Sequence, residues 1–235
     1  MKSVRPKPYR LYKYRYCRIQ EMLTYLSGKM FTFPVESNTA HVTLLPSRVN
    51  FTSVTVCLRL VYLTDLTRNY ALFSMASSGS DNDFLIFKTA NKGHFQVLTR
   101  GQTSGFRGLP DEPNTWYSSC STWDSNSGLA QVWINGNPST RKVGFKGNLD
   151  GAPSIVLGQD QDSVGGGFDA GQSFVGMITD VHMWDYALSA CELQRFTSDL
   201  NFTPGDVINW RALEFTITGD VVVEDNQTNG CFHSQ

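Results

Sequence analysis

From Thr32 onward the chain reads as one strand after another. Val54, Val56, Leu58, Leu60 and Tyr62 alternate with Thr55, Cys57, Arg59 and Val61, the period of two that lays one set of side chains against a core. The pattern returns at residues 85–87 and 129–134, where Asn135-Gly136 follows and predicts a turn into residues 141–143. A further strand is predicted over residues 174–184. Only one helix start stands out: Ser189 and Glu192 have capping-box spacing, and Leu188 and Leu193 flank them as a hydrophobic staple. This predicts one short helix near residues 189–198, ending before Pro204. Short strands, polar turns and a lone helix give an all-β expectation, a two-sheet antiparallel sandwich of the jelly-roll kind.

Composition agrees with a folded domain. Of 235 residues, 40% are hydrophobic and 17% charged, too apolar a balance for a disordered chain. The most apolar stretch, residues 54–63, is broken by Arg59, so no membrane span is predicted. The net charge of −1 conceals an asymmetry: residues 1–30 hold eight Lys/Arg and one acidic residue, which leaves the remainder at −8. We expect a basic, poorly ordered extension over 1–30, a domain over 31–225 and a tail over 226–235. The extension interleaves Tyr9, Tyr12, Tyr14 and Tyr16 with basic residues, as nucleic-acid and membrane-surface arms do, but no nucleic-acid partner is expected. It lacks the apolar stretch and small-residue cleavage site of a signal peptide. Cys17, Cys57, Cys120, Cys191 and Cys231 show neither C-x-x-C spacing nor paired His ligands, which favours disulfides over zinc. Sequons at Asn50, Asn201 and Asn226 agree with a secreted, extracellular protein.

Chemistry concentrates in residues 157–172. As an EF-hand, Asp160 and Asp162 fit positions 1 and 3, but Val164 and Gly171 stand at positions 5 and 12. As a dinucleotide fingerprint, Gly165, Gly167 and Ala170 have the spacing, yet a strand pattern follows where a helix is required. The surviving reading is an oxygen-rich loop in which Asp160, Gln161, Asp162, Asp169 and Gln172 offer the hard donors that calcium takes. A second cluster, Asp81-Asn82-Asp83, follows a Ser/Gly run that holds it in a loop before the strand.

These residues carry a family resemblance. Residues 120–125, Cys-Ser-Thr-Trp-Asp-Ser, are similar to the signature of the pentraxins. Residues 31–34, 55–58, 81–82, 157–159, 161–163, 183–185 and 209–213 follow in the family's order. The resemblance implies a concanavalin- and lectin-like jelly-roll protomer in a flat cyclic homo-oligomer, a pentamer being expected, with two calcium ions per protomer on one face. By position, Asp81, Asn82, Asp160, Gln161 through its backbone carbonyl, Asp162, Asp169 and Gln172 match the family's calcium ligands. Phe87 matches an aromatic residue that contacts choline, with Leu85 on the same strand face, and Gln102 falls near an acidic residue that helps hold the ammonium. Cys57 and Cys120 match the conserved disulfide; Cys191 with Cys231 is a companion pairing.

The implied function is calcium-dependent recognition of phosphocholine, phosphoethanolamine or related phosphate and carbohydrate ligands in innate immunity, of the acute-phase type. Complement's collagen-tailed recognition component would be a partner for the opposite face. The chain departs from the family in three places: Ser118 stands where the signature has His, Asp160 replaces a bridging Glu, and Gln102 is not acidic. A laminin-G-like adhesion module shares the sandwich but uses a single ion. A jelly-roll glycosidase needs two carboxyl groups across a cleft, whereas here the close carboxylates lie in loops. No enzyme is expected.

Overall fold

The computed structural model describes residues 26–62, 67–198 and 201–226. Expectations for residues 1–25, Cys17, Cys231 and the tail beyond residue 226 lie outside them. The described residues form strands β1 (Lys29–Phe33), β2 (His41–Leu44), β3 (Ser53–Tyr62), β4 (Tyr70–Ser77), β5 (Ser80–Lys88), β6 (Phe95–Thr99), β7 (Gln102–Phe106) and β8 (Tyr117–Asp124). The chain continues through β9 (Leu129–Ile134), β10 (Asn137–Pro138), β11 (Lys142–Val143), β12 (Ser154–Leu157), β13 (Gly176–Trp184), helix α1 (Ala190–Thr197), β14 (Ile208–Asn209), β15 (Phe215–Thr218) and β16 (Val222–Asp225).

The strands make two antiparallel sheets. The first runs β10-β9-β8-β3-β13-β1-β16, with β11 and β14 attached at β9 and β13; the second runs β15-β2-β12-β4-β5-β6-β7. The alternation in β3 has the expected consequence: Val54, Val56, Leu58, Leu60 and Tyr62 join the core between the sheets. Asn135 and Gly136 both have positive φ, at 50° and 76°, the twist that folds β9 onto β10. The predicted strand over 174–184 begins later, at Gly176, because the Phe174 N–H donates to the Gly158 carbonyl at 2.9 Å and so closes a loop instead of a ladder.

The outer faces of the two sheets differ. On the first, α1 begins at the capping box: the Ser189 N–H donates to Glu192 Oε2 at 2.7 Å while Ser189 Oγ accepts from the Glu192 N–H. Its Leu193 and Phe196 pack with Leu188, Trp133, Trp184 and the Cys57–Cys120 disulfide, which joins directly opposed residues of β3 and β8. On the second sheet, residues 158–172 lie over the outer face at β4, where Gln161 meets Ser74. This explains why β4 is buried along its whole length: Leu72, Phe73 and Met75 face the core, and Ser74 faces the covering loop through Gln161.

Candidate metal centre

The loop over 158–172 is tied down at both ends and in its middle. Gln159 Nε2 donates to the carbonyls of Ser37 and Ala40 at 2.7 and 2.9 Å. Gln161, fully buried, places Nε2 3.0 Å from the Ser74 carbonyl and 3.1 Å from that of Ser154, while its Oε1 accepts from the Gly165 N–H at 2.8 Å. At the far end Arg68 donates to the Ser173 carbonyl at 2.5 Å and pairs with Glu36 at 3.1 Å. Gly167 has φ 75°, and a Cβ there would stand 3.0 Å from atoms of Asp162, so the loop doubles back at a position only glycine fills without strain.

The second segment, expected in a loop, is instead the opening of β5 (Ser80–Lys88): Ser77 already pairs with Ser80, so the ladder resumes right after the Ser78-Gly79 turn and takes in Asp81, Asn82 and Asp83. Ser77 Oγ accepts from the Gly79 N–H at 3.1 Å and Ser80 Oγ from the Asn82 N–H at 3.0 Å. Asn82 Nδ2 donates to Asp81 Oδ1 at 3.2 Å, which fixes the amide with Oδ1 directed elsewhere.

Electrostatics joins the two segments. Burial pushes the Asp160 carboxyl up to about 6, and the charges of Asp162 and Asp81 add to the shift. Asp162 is raised too, by burial first and then by Asp81 and Asp169. Four carboxylates from residues nearly ninety positions apart thus share one field, and their repulsion is the cost a bound cation would remove. Gln172 Nε2 donates to Asp160 Oδ2 at 3.3 Å, and Asp169 Oδ1 accepts from the Gly171 N–H at 2.9 Å. Asp160 Oδ1 and Asn82 Oδ1 are buried without a hydrogen-bond partner, a costly arrangement in the absence of a ligand. Among the described residues no three His, Cys, Asp or Glu side chains converge closely enough to form a ready-made metal cage. The donors present are oxygens of Asp, Asn and Gln, a set that fits calcium and does not fit zinc or copper.

Phe87 and Leu85 lie beside this centre, on the same outer face, since Leu85 pairs with Ser74 across β4 and β5. Leu85, Phe87 and Ala71 form a small apolar cluster with the partly buried Leu98 against it. Phe87 is only 6% exposed. Gln102 is exposed at the start of β7. Sequence reasoning gave no anchoring role to Ser74, Gln159 or Arg68; the Gln on each side of Asp160 was the available signal that the loop is tied down there. Ser118 is buried, with Oγ 3.4 Å from Thr197 Oγ1, and Cys191 is exposed and has no disulfide partner among the described residues, its expected partner Cys231 lying outside them. His182 packs between Trp184, Phe196 and Phe202.

A Pentaxin family model matches residues 29–225. Mucosal pentraxin of Bos taurus is 42% identical over 203 residues, 85% of this chain and 88% of that one. Serum amyloid P-component of Cavia porcellus is 40% identical over 203 residues, 86% and 89% of the two chains, and C-reactive protein of Sus scrofa is 39% identical over 203 residues with the same coverage. The native heptameric SAP-like pentraxin from Limulus polyphemus superimposes with a TM-score of 0.79 at 24% identity, over 86% of this chain and 97% of that one, a likeness that establishes the fold.

Proposed function

The chain belongs to the pentraxin family, whose members are non-enzymatic recognition proteins, and on that premise we propose that it is a secreted, calcium-dependent pattern-recognition protein that binds phosphate monoesters. The observation that carries the reading is that two oxygens, Asp160 Oδ1 and Asn82 Oδ1, are buried without a hydrogen-bond partner where the charges of Asp81, Asp160, Asp162 and Asp169 act on one another. Asp81, Asn82, Asp160, Asp162, Asp169, Gln172 and the backbone carbonyl of Gln161 would hold two calcium ions per protomer. Calcium supplies charge and unfilled coordination positions that phosphate oxygens take. With four carboxylates and two divalent ions the occupied site is near neutral, so an anionic ligand meets no net repulsion.

The apolar cluster beside the site meets the other end of a phosphocholine or phosphoethanolamine headgroup. The small exposed part of the Phe87 ring and the more open Leu98 contact the methyls of a quaternary ammonium, and Gln102 offers an amide without the charge that would hold it tightly. Phosphate therefore dominates affinity, and discrimination for choline is modest. Repetition of one heterologous contact closes a ring of protomers, as in the heptameric relative, with a pentamer expected, so that weak sites act together on a microbial or damaged-cell surface. The helix-bearing face stays open for complement's recognition component.

Chromatography on immobilised phosphocholine tests this reading. The protein should be retained with calcium and released by a chelator; flow-through in calcium, or retention that survives chelation, would count against it.

A further inference from the structure

Arg100 lies outside every residue assigned to the calcium centre, yet it grips the segment that carries two of them. Its Nη1 stands 3.2 Å from Oδ1 of Asp83, a carboxylate buried to 2% exposure, and its Nη2 donates to the Asn148 carbonyl at 3.1 Å. The guanidinium also lies over the Phe145 ring, 5.9 Å from its centroid. The backbone grips as well: the Arg100 N–H donates to the Asp83 carbonyl at 3.1 Å and the Gly101 N–H to the Asn82 carbonyl at 2.9 Å. Both residues have positive φ, 48° and 74°, which makes the β6–β7 connection a tight turn of the mirror-image kind, with those two N–H groups directed at residues 82–83. On the other side, a Cβ on Gly79 would stand 1.7 Å from Arg100 Nη1 and 2.9 Å from Cζ, so the Nη1 end of the guanidinium fills the space beside the backbone two residues before Asp81.

We infer that Arg100 is a positioning residue for the calcium-binding segment Asp81–Asn82, clamping it from Gly79 to Asp83 so that the Asp81 carboxylate and Asn82 Oδ1 face Asp160 and Asp162. The inference rests on the calcium reading. Two effects oppose each other in a cation so placed. Its charge repels a bound calcium ion, and its contacts fix the donors that bind one. The ion pair with Asp83 cancels most of the first effect, whereas loss of Arg100 leaves the buried Asp83 with the Ser77 hydroxyl but no countercharge and frees the turn that follows Ser77. Positioning thus predicts that removing a positive charge beside a cation site weakens cation binding, the reverse of what charge alone gives. The same clamp links recognition to metal, because Gln102, paired with Thr99, closes the turn that holds Asn82, and Leu98 lies one pair further along the same ladder.

Calorimetric titration of calcium into the chelator-treated full chain tests it, with near-ultraviolet circular dichroism confirming the fold of each variant. Arg100→Ala should lower calcium affinity on the order of tenfold, and adding Asp83→Asn should restore part of the loss by removing the stranded charge. Gly79→Ala displaces only the far end of a flexible side chain, so it should weaken binding in the same direction in a protein that folds normally, which keeps the test decisive if Arg100→Ala does not fold. Unchanged or tighter binding in the folded variants would overturn the positioning role while the calcium reading stands. Absence of calcium binding in the parent protein would overturn both.

Discussion

The Gln161 side-chain amide donates to the backbone carbonyl of Ser74 at 3.0 Å, stitching the oxygen-rich loop to the strand that also carries the Leu85 pairing. The side chain is thus committed to anchoring, with Ser154 and Gly165 as its other partners, and only the backbone oxygen of Gln161 remains for a ligand. Gln161→Ala should therefore weaken calcium on the order of tenfold by loosening the loop, each lost hydrogen bond being worth about 1 kcal/mol. Asp162→Ala, which removes a donor, should abolish binding to every phosphate ligand. Equal effects of the two substitutions in calcium titrations would contradict the division of roles.

Calcium should order this loop. Without it Asp81, Asp160, Asp162 and Asp169 repel one another, and the glycines over 165–167 add little stiffness. Limited proteolysis in chelator should cut within residues 160–172 while the sandwich stays intact, and added calcium should protect those bonds. Identical cleavage in both conditions would show that the loop holds no ion.

Phe87 offers a separable test of ligand choice. Because the ring packs on Ala71 and Leu85, truncation to Ala would create a cavity as well as remove the aromatic face. Phe87→Leu keeps most of the packing. It should weaken phosphocholine by roughly two- to fivefold, the size of a weak cation–π contact, and leave inorganic phosphate unchanged. Equal changes for both ligands in competition assays would assign Phe87 to packing alone.

His182 gives the fold an acid sensitivity of its own. Burial, with Arg211 and Arg59 adding charge, pushes its pKa down to about 3, and its Nδ1 accepts from the Gly205 N–H at 3.2 Å, so the folded state holds the ring neutral. The unfolded chain takes up the proton near pH ~6.5. This contribution to stability is therefore complete above that pH and is lost as the pH falls from about 6.5 toward 3, amounting to a few kcal/mol on the order of magnitude. His182→Gln should be less stable at pH 7.5 but show a shallower fall in urea midpoint between pH 7 and 4.5. An unchanged slope would mean that other groups govern the acid limit.

The sandwich was legible where one face of a strand is apolar and the other mixed, as in β3, and where local chemistry suffices, as at Ser189 with Glu192 and at Asn135-Gly136. β4 was not, because both of its faces are covered and alternation disappears; nothing in residues 70–77 announces the loop that lies on Ser74. The coupling of Asp81–Asn82 to Asp160–Gln172 joins distant segments; two oxygen-rich clusters in one chain hinted at it, and the family resemblance named the residues. The near-complete covering of Phe87 and the grip of Arg100 on Gly79 depend on how β5, β6 and β7 stack, which spacing along the chain does not encode.

The disulfide between Cys57 and Cys120 closes a loop across a sequence separation of 63, for which chain entropy gives roughly 4 kcal/mol. The double substitution to Ser should lower the thermal midpoint by many degrees at neutral pH. A midpoint shift of a degree or less would show that sheet pairing between β3 and β8 alone suffices.

On the proposed function, Asp81–Asn82 and Asp160–Gln172 would together hold two calcium ions. Equilibrium dialysis of the purified chain against radioactive calcium, read as ions bound per protomer, tests it most directly. The account predicts two, falling to none or to one weakly held ion in Asp162→Ala; a value of one in the parent protein would match a single-ion adhesion module, and zero would remove calcium from the account altogether.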